Sequence, residues 1–144
     1  MYRLIRTLLF ALEAETAHEF TAAQMERLQR IPLALRLIER LCRVPPRPTE
    51  LLGLTFKTPI GIAAGFDKNA RMMPFLAALG FGFVEVGTVT PRPQPGNPKP
   101  RLFRDRVQRA LVNRMGFNND GAEAVAERIA SFDAVPLFVN IGKN

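Results

Sequence analysis

The sequence predicts an α/β protein: the first three strands of a (β/α)8 TIM barrel, behind an N-terminal helical subdomain and a β-hairpin. Three observations carry this. Apolar runs at 60–63, 83–86 and 137–141 alternate with helical patterns, the order that right-handed βαβ crossovers and a parallel sheet require. Each run empties into a polar loop containing Gly or Asn, as strands do at the ligand-binding face of a barrel. The turn after the first run, Gly65-Phe66-Asp67-Lys68, is not the GxGxxG fingerprint of the doubly wound alternative.

Residues 1–44 form the helical subdomain. Leu4, Leu8 and Leu12 recur at four-residue spacing with Ile5 and Leu9 alongside, so they share one helical face. A break is expected around Ala14-Glu15-Thr16. A second helix runs from Thr16 to Arg30, with Phe20, Ala23 and Leu28 on one side, and Ile31-Pro32 ends it. Leu33, Leu37, Ile38 and Leu41 make a third stripe, interleaved with Arg36, Arg40 and Arg43. Such helices suit a small bundle. They equally suit a membrane surface, with the apolar face down and the arginines at the headgroups.

Residues 45–49, proline-rich, read as a linker. Residues 50–144 read as the barrel portion. Leu51–Thr58 is expected to be a hairpin with Gly53 near its turn. Pro59 opens a buried strand, Ile60–Ala63. Ala70–Leu79 is expected to be helical, with Pro74 in its first turn. Phe83–Val86 is the second strand and runs into Gly87-Thr88. A loop with prolines at 91, 93, 95, 98 and 100 follows. Arg101–Arg104 is extended, Asn113–Asn119 is turn-rich, and Asp120 is expected to N-cap a helix over Ala122–Ser131. Leu137–Ile141 is a third buried strand. A barrel needs eight strands in about 250 residues, so the 144 residues are expected to be an incomplete chain.

Hydrophobic content of 47% and charged content of 23% fit a globular protein. The apolar runs fall short of the ~20 residues of a membrane-spanning helix. One cysteine excludes an intrachain disulfide. A net charge of +7 and a pI near 10.7 point to an anionic partner. The arginines are dispersed and the aromatics are mostly Phe in apolar runs, so nucleic acid is not the expected partner.

The chemistry-bearing residues gather after the strands. Lys68 follows Gly65 by three residues. It suits a cation steadying an anionic ligand beside backbone N–H groups, or a solvated lysine after a turn. Thr88 suits a ligand hydrogen bond or a local backbone one. Asn113, Asn118, Asn119, Asn140 and Asn144 fall in or near predicted loops. Their amides can read a ring with alternating carbonyl and N–H groups, and Asn is also a common turn residue. His18, the one histidine, could shuttle a proton or be incidental on its helix. No metal-ligand cluster or Ser/His/Asp arrangement can be assembled.

Taken together, several stretches resemble dihydroorotate dehydrogenase of the quinone-reducing, membrane-associated class 2. They are Gly61–Lys68, Gly87–Asn97, Pro100–Arg104, Asn113–Asn119 and Asn140–Asn144. The helical leader resembles that class's N-terminal extension. The resemblance implies an FMN-containing (β/α)8 barrel in pyrimidine biosynthesis, which oxidises dihydroorotate to orotate and passes electrons to a membrane quinone. It implies FMN contacts at Ala64, Gly65, Phe66, Asp67, Lys68, Thr88 and Asn140. Substrate contacts are implied at Lys68, Asn113, Arg114, Met115, Gly116 and Phe117. His18, Phe66 and Arg104 match positions lining the quinone tunnel. Peripheral membrane association follows from the same likeness, and with no evident transit peptide the expected place is the cytoplasmic face of the inner membrane. The class's serine base lies in a loop expected beyond Asn144. Ser131, the one serine here, matches nothing in that motif.

Overall fold

The computed structural model describes residues 2–144. Three helices come first: α1 (Tyr2–Ala11), α2 (Ala14–Leu28) and α3 (Pro32–Leu41). The α1–α2 break falls earlier than the expected Ala14–Thr16. Glu13 makes it: its carboxylate accepts the N–H groups of Glu15 and Thr16 at 3.0 and 2.8 Å, satisfying donors that a helix start leaves open. The break therefore leaves Glu15 in the first turn of α2, which matters below. Pro32 sits in the first turn of α3, where its missing N–H costs nothing. The apolar stripes of α1 and α3 are not closed into a bundle: Leu8, Leu33 and Leu41 are 65%, 76% and 75% exposed.

The hairpin forms as β1 (Thr49–Leu51) and β2 (Leu54–Phe56), two residues earlier than expected. Its turn residues Leu52 and Gly53 both have positive φ, the geometry of a tight two-residue hairpin. Phe56 is buried. Its ring packs against Phe83 and Phe138, centroids 5.7 and 6.3 Å away. Phe83 precedes the next strand and Phe138 is the second residue of the last one, so the hairpin covers the end of the sheet where these strands begin.

Helix α4 (Met73–Ala78) and strand β3 (Val84–Val89) follow. Then come strands β4 (Leu102–Asp105) and β5 (Ala110–Asn113), helix α5 (Ala122–Ile129) and strand β6 (Leu137–Ile141). β3 pairs with β6 in parallel. On its other side Ile62 bridges Val84, also in parallel. The three chain segments therefore lie side by side in sequence order. Val84 and Val86 face α4 and α5 and are fully buried. The core beneath them is Ala70, Met72, Met73, Leu76, Val89, Val125 and Val135. Strand alternation turns Glu85 to the opposite face.

Several expectations need correction. Ile60–Ala63 is extended but not a buried strand: it contributes one bridge, and Ile60 is 67% exposed. β6 has the expected bounds, yet Ile141 is 81% exposed, because among the described residues only β3 pairs with it. Both segments are edges of this sheet. Helix α4 starts later than Ala70 because the Asp67 carboxylate holds the N–H groups of Arg71 and Met72 in a turn. Arg101–Arg104 is one arm of an antiparallel hairpin whose partner, β5, carries no glycine or proline signal. Asp105 turns that hairpin by accepting from Val107 and Gln108 N–H at 2.9 and 2.8 Å. Asp120 is not the cap of α5. Gly121 holds that position, Asn119 Oδ1 takes its N–H, and the Asp120 carboxylate is drawn to Arg128 at 2.6 Å.

Candidate functional site

The candidate site lies at the C-terminal ends of the three parallel segments. The first delivers the turn Ala64–Lys68. Gly65 has φ +101°, and a Cβ built there would meet nothing within 4 Å. The turn thus presents open backbone, and its left-handed conformation favours glycine. The turn is pinned to β3: Gly65 N–H donates to Gly87 O at 2.8 Å, and Gly87 N–H donates to Asp67 O at 3.2 Å.

β3 delivers Thr88 through an irregularity. Pairing with β6 shifts between Val86 and Val89, which turns the Gly87-Thr88 step out of the ladder. Gly87 has φ +111°, and a Cβ there would sit 2.4 Å from Asn140 O, so only glycine fits. Thr88 Oγ1 donates to Asn140 Oδ1 at 2.7 Å. Asn140 Nδ2 donates to Glu85 Oε1 at 3.4 Å, and Glu85 Oε2 accepts Ala64 N–H at 3.3 Å. Three strand ends are thereby joined through one carboxylate. Glu85 was not singled out by sequence reading. Its signal was a lone charge inside the apolar run Phe83–Val86.

Lys68 is half-buried and donates to Asn118 Oδ1 at 3.2 Å. Burial, and then the charge of Arg101, hold its pKa below the ordinary lysine range. Asp67 is 2% exposed. Its carboxylate accepts both Arg71 and Met72 N–H at 2.8 Å, so its side chain serves the turn itself. Burial nonetheless pushes its pKa up, against the opposing effect of those bonds.

The stretch 113–117 leaves β5 as a polar turn. Asn113 is exposed at the strand end, Gly116 and Phe117 have φ of 72° and 51°, and Phe117 is 54% exposed. The proline loop grips this turn from behind. Asn97 Nδ2 donates to Arg114 O at 2.7 Å, Asn97 N–H to Met115 O at 3.0 Å, and Gln94 Nε2 to Gly116 O at 3.1 Å.

A cleft of ≈ 200 Å³ separates α2 from these loops, lined by His18, Phe66, Lys68, Met115 and Asn118 among others. His18 meets Phe66 edge-on, centroids 5.2 Å apart. Burial, then the Lys68 charge, lower the His18 pKa, so its ring is neutral near pH 7. Arg104 is not brought to this cleft. Its guanidinium donates to Leu12 O and Leu9 O at the end of α1 and lies 4.6 Å over the Phe10 ring. Ser131 lines a second, larger cavity of ≈ 500 Å³ with Arg71, Arg128 and Phe132.

Residues 48–144 match the family profile described as dihydroorotate dehydrogenase. Among curated proteins, one from Alkalilimnicola ehrlichii named dihydroorotate dehydrogenase (quinone) is 53% identical over 100% of this chain and 42% of its own length. A protein of the same name from Cronobacter sakazakii is 54% identical over 99% of this chain and 42% of its own. This chain thus spans about two fifths of the length of the curated relatives it matches. A crystal structure of the Eimeria tenella enzyme in complex with ferulenol aligns with a TM-score of 0.62 and 42% identity, covering 78% of this chain and 35% of that one. The sheet order, the strand-end residues and these matches agree: the chain belongs to the dihydroorotate dehydrogenase family.

Proposed function

We propose that this chain forms the opening portion of a quinone-linked dihydroorotate dehydrogenase, built as a (β/α)8 barrel around FMN. One observation carries the reading: the turn that ends in Lys68 is hydrogen-bonded to Gly87, and the next residue, Thr88, to Asn140, at the C-terminal ends of three parallel segments laid in sequence order. Consecutive parallel order suits the start of a barrel, whose ligands bind at that end. The leader of residues 1–44, the linker 45–49 and the barrel portion 50–144 follow from the same reading.

The residues present fit FMN. The backbone at Gly65 is open, Lys68 follows it in the same turn, and the Thr88–Asn140 pair stands at the ends of the adjacent strands. When bound, FMN supplies a two-electron acceptor that turns dihydroorotate into orotate in pyrimidine biosynthesis and is reoxidised by a membrane quinone. Backbone groups of Ala64–Asp67 would hold the cofactor from one side. Thr88 and Asn140 would hold it from the adjacent strands. Lys68 would place its ammonium where negative charge develops, in a half-buried setting that strengthens the attraction. Asn113–Phe117 would read the pyrimidine ring through amide and backbone donors and acceptors. The proton acceptor is assigned to a serine outside residues 1–144.

The leader supports quinone access. His18 and Phe66 form an aromatic edge in the cleft under α2, while α1 and α3 expose leucine stripes flanked by arginines. No described helix is long and apolar enough to cross a membrane. Peripheral docking on the cytoplasmic face of the inner membrane suits such helices.

The test is the full-length enzyme that carries this portion, purified and incubated with FMN, dihydroorotate and a soluble ubiquinone analogue. Orotate formation that depends on the quinone is expected. Orotate formation driven equally by fumarate or NAD⁺ would remove the quinone assignment. Bound FMN with no orotate formed would remove the substrate assignment.

A further inference from the structure

The leader and the 113–117 turn are joined by a buried charge pair. Glu15, in the first turn of α2, is 3% exposed and Arg101 is 6% exposed. Arg101 Nε donates to both Glu15 carboxylate oxygens at 3.0 and 3.2 Å, and Nη2 to Oε1 at 2.7 Å. Its remaining terminal nitrogen, Nη1, donates to Pro95 O at 2.6 Å and Asn97 O at 3.0 Å. One guanidinium therefore grips the leader on one side and the proline loop on the other, a geometry that suits arginine's planar fork and not a lysine. The Arg101 bond holds the Glu15 pKa below the ordinary carboxylate range, so the pair is charged at neutral pH.

The chain of contacts continues into the turn. Arg114 N–H donates to Arg101 O at 2.9 Å. Asn97, whose carbonyl Arg101 holds, donates through its amide to Arg114 O and through its N–H to Met115 O. The loop packs tightly: a Cβ on Gly96 would lie 2.2 Å from Met115 O and 2.9 Å from Arg101 Nη1. Glu15, Arg101 and Asn97 stand behind the turn and are not among the residues read as ligand contacts. Together they fix where the carbonyls and N–H groups of 114–116 stand.

We propose that Glu15 is a positioning residue for the Asn113–Phe117 turn, acting from the leader through Arg101 and Asn97. This rests on the reading of that turn as the orotate-binding segment. It gives the leader a second role: seating α2 on the barrel portion also sets the geometry of the ring-binding turn. Loosening α2 therefore weakens substrate binding without touching the flavin-facing residues.

The experiment uses the full-length enzyme that carries this portion, with Glu15→Gln, Arg101→Lys and, as a control, Glu39→Gln on the exposed face of α3. Hydrogen exchange reads the link directly. Both test variants are expected to raise exchange at Asn97, Arg114 and their neighbours in 94–101 and 113–117, with 84–89 and 137–141 unchanged. The control is expected to leave all four segments unchanged. Orotate titration is expected to show about tenfold weaker binding, equivalent to about 1.4 kcal/mol. FMN content and turnover at saturating substrate are expected to stay within about twofold. Arg101→Lys keeps the buried charge balance and carries the test should Glu15→Gln not fold. Uniform exchange increase, or unchanged exchange at 113–117, would overturn the link. Altered exchange with unaltered orotate binding in an active enzyme would overturn the positioning role. Absence of dihydroorotate oxidation in the unmodified protein would count against the family activity, while exchange still decides the link.

Discussion

The hydroxyl of Thr88 donates to Oδ1 of Asn140 at 2.7 Å, joining the C-terminal ends of two parallel strands. Asn140 is held from its other end by Glu85, so its amide has one orientation. Replacing Thr88 by Val keeps the shape and removes the donor. FMN titration should then show binding weaker by about 1 kcal/mol, roughly fivefold. Thr88→Val with unchanged FMN affinity would mean that Glu85 alone sets the amide.

Asp67 serves the turn before any ligand. Its buried carboxylate takes the N–H groups of Arg71 and Met72. Asp67→Ala orphans both and should cost about 2–4 kcal/mol in denaturant unfolding. Asp67→Asn keeps one acceptor oxygen and orphans one of the two N–H groups, so near neutral pH it should cost about half as much. Burial raises the Asp67 pKa in the folded protein. Its contribution is therefore full below the unfolded value and falls as pH rises through the folded one, a penalty that an uncharged amide escapes. Equal losses in the two variants would contradict this.

Much of this was legible in residues. Leu137–Ile141 reads as a strand from its apolar run, and its bounds are as expected. Pro74 and Gly53 mark a helix start and a hairpin turn because their backbone chemistry is local. What was not legible depended on distant partners. β5 forms because β4 lies beside it, and its own residues Ala110–Asn113 carry no turn signal. Glu13 caps α2 although glutamate is not a preferred cap. Asp120 has the chemistry of a cap, and a guanidinium from the last turn of the helix takes it away. Within the site, Lys68 and Thr88 stood out by their positions after strands, and Asn140, inside the last strand, by its match to a family motif. Glu85 and the Glu15–Arg101 pair emerge only once the segments are side by side.

His18 should make stability sensitive to mild acid. Burial and Lys68 depress its pKa in the fold, so the unfolded chain binds the proton more readily. Stability is then full above the unfolded value of about 6.5 and falls as pH drops through the window below it. The melting temperature should fall between pH 7 and pH 5, and His18→Gln should flatten that limb. Glu15 does not mimic the effect, since its lowered pKa confines its loss to stronger acid. An unflattened limb in His18→Gln would place the sensitivity elsewhere.

Arg104 tests whether a residue matched to the quinone tunnel acts by touching quinone or by holding the leader. It donates to the carbonyls of Leu9 and Leu12 and covers Phe10, which satisfies acceptors left open at the end of α1. Arg106 adds a bond to Phe10 O at 2.9 Å. Arg104→Lys retains the charge and loses the fork, so the link at residues 12–14 should become more open to limited proteolysis, by about three- to tenfold for a loss near 1 kcal/mol. The KM for a soluble quinone should rise in parallel, while the KM for dihydroorotate stays within about twofold. A raised quinone KM with unchanged proteolysis would instead assign Arg104 a direct contact with the quinone, and α1 would then be held by Arg106.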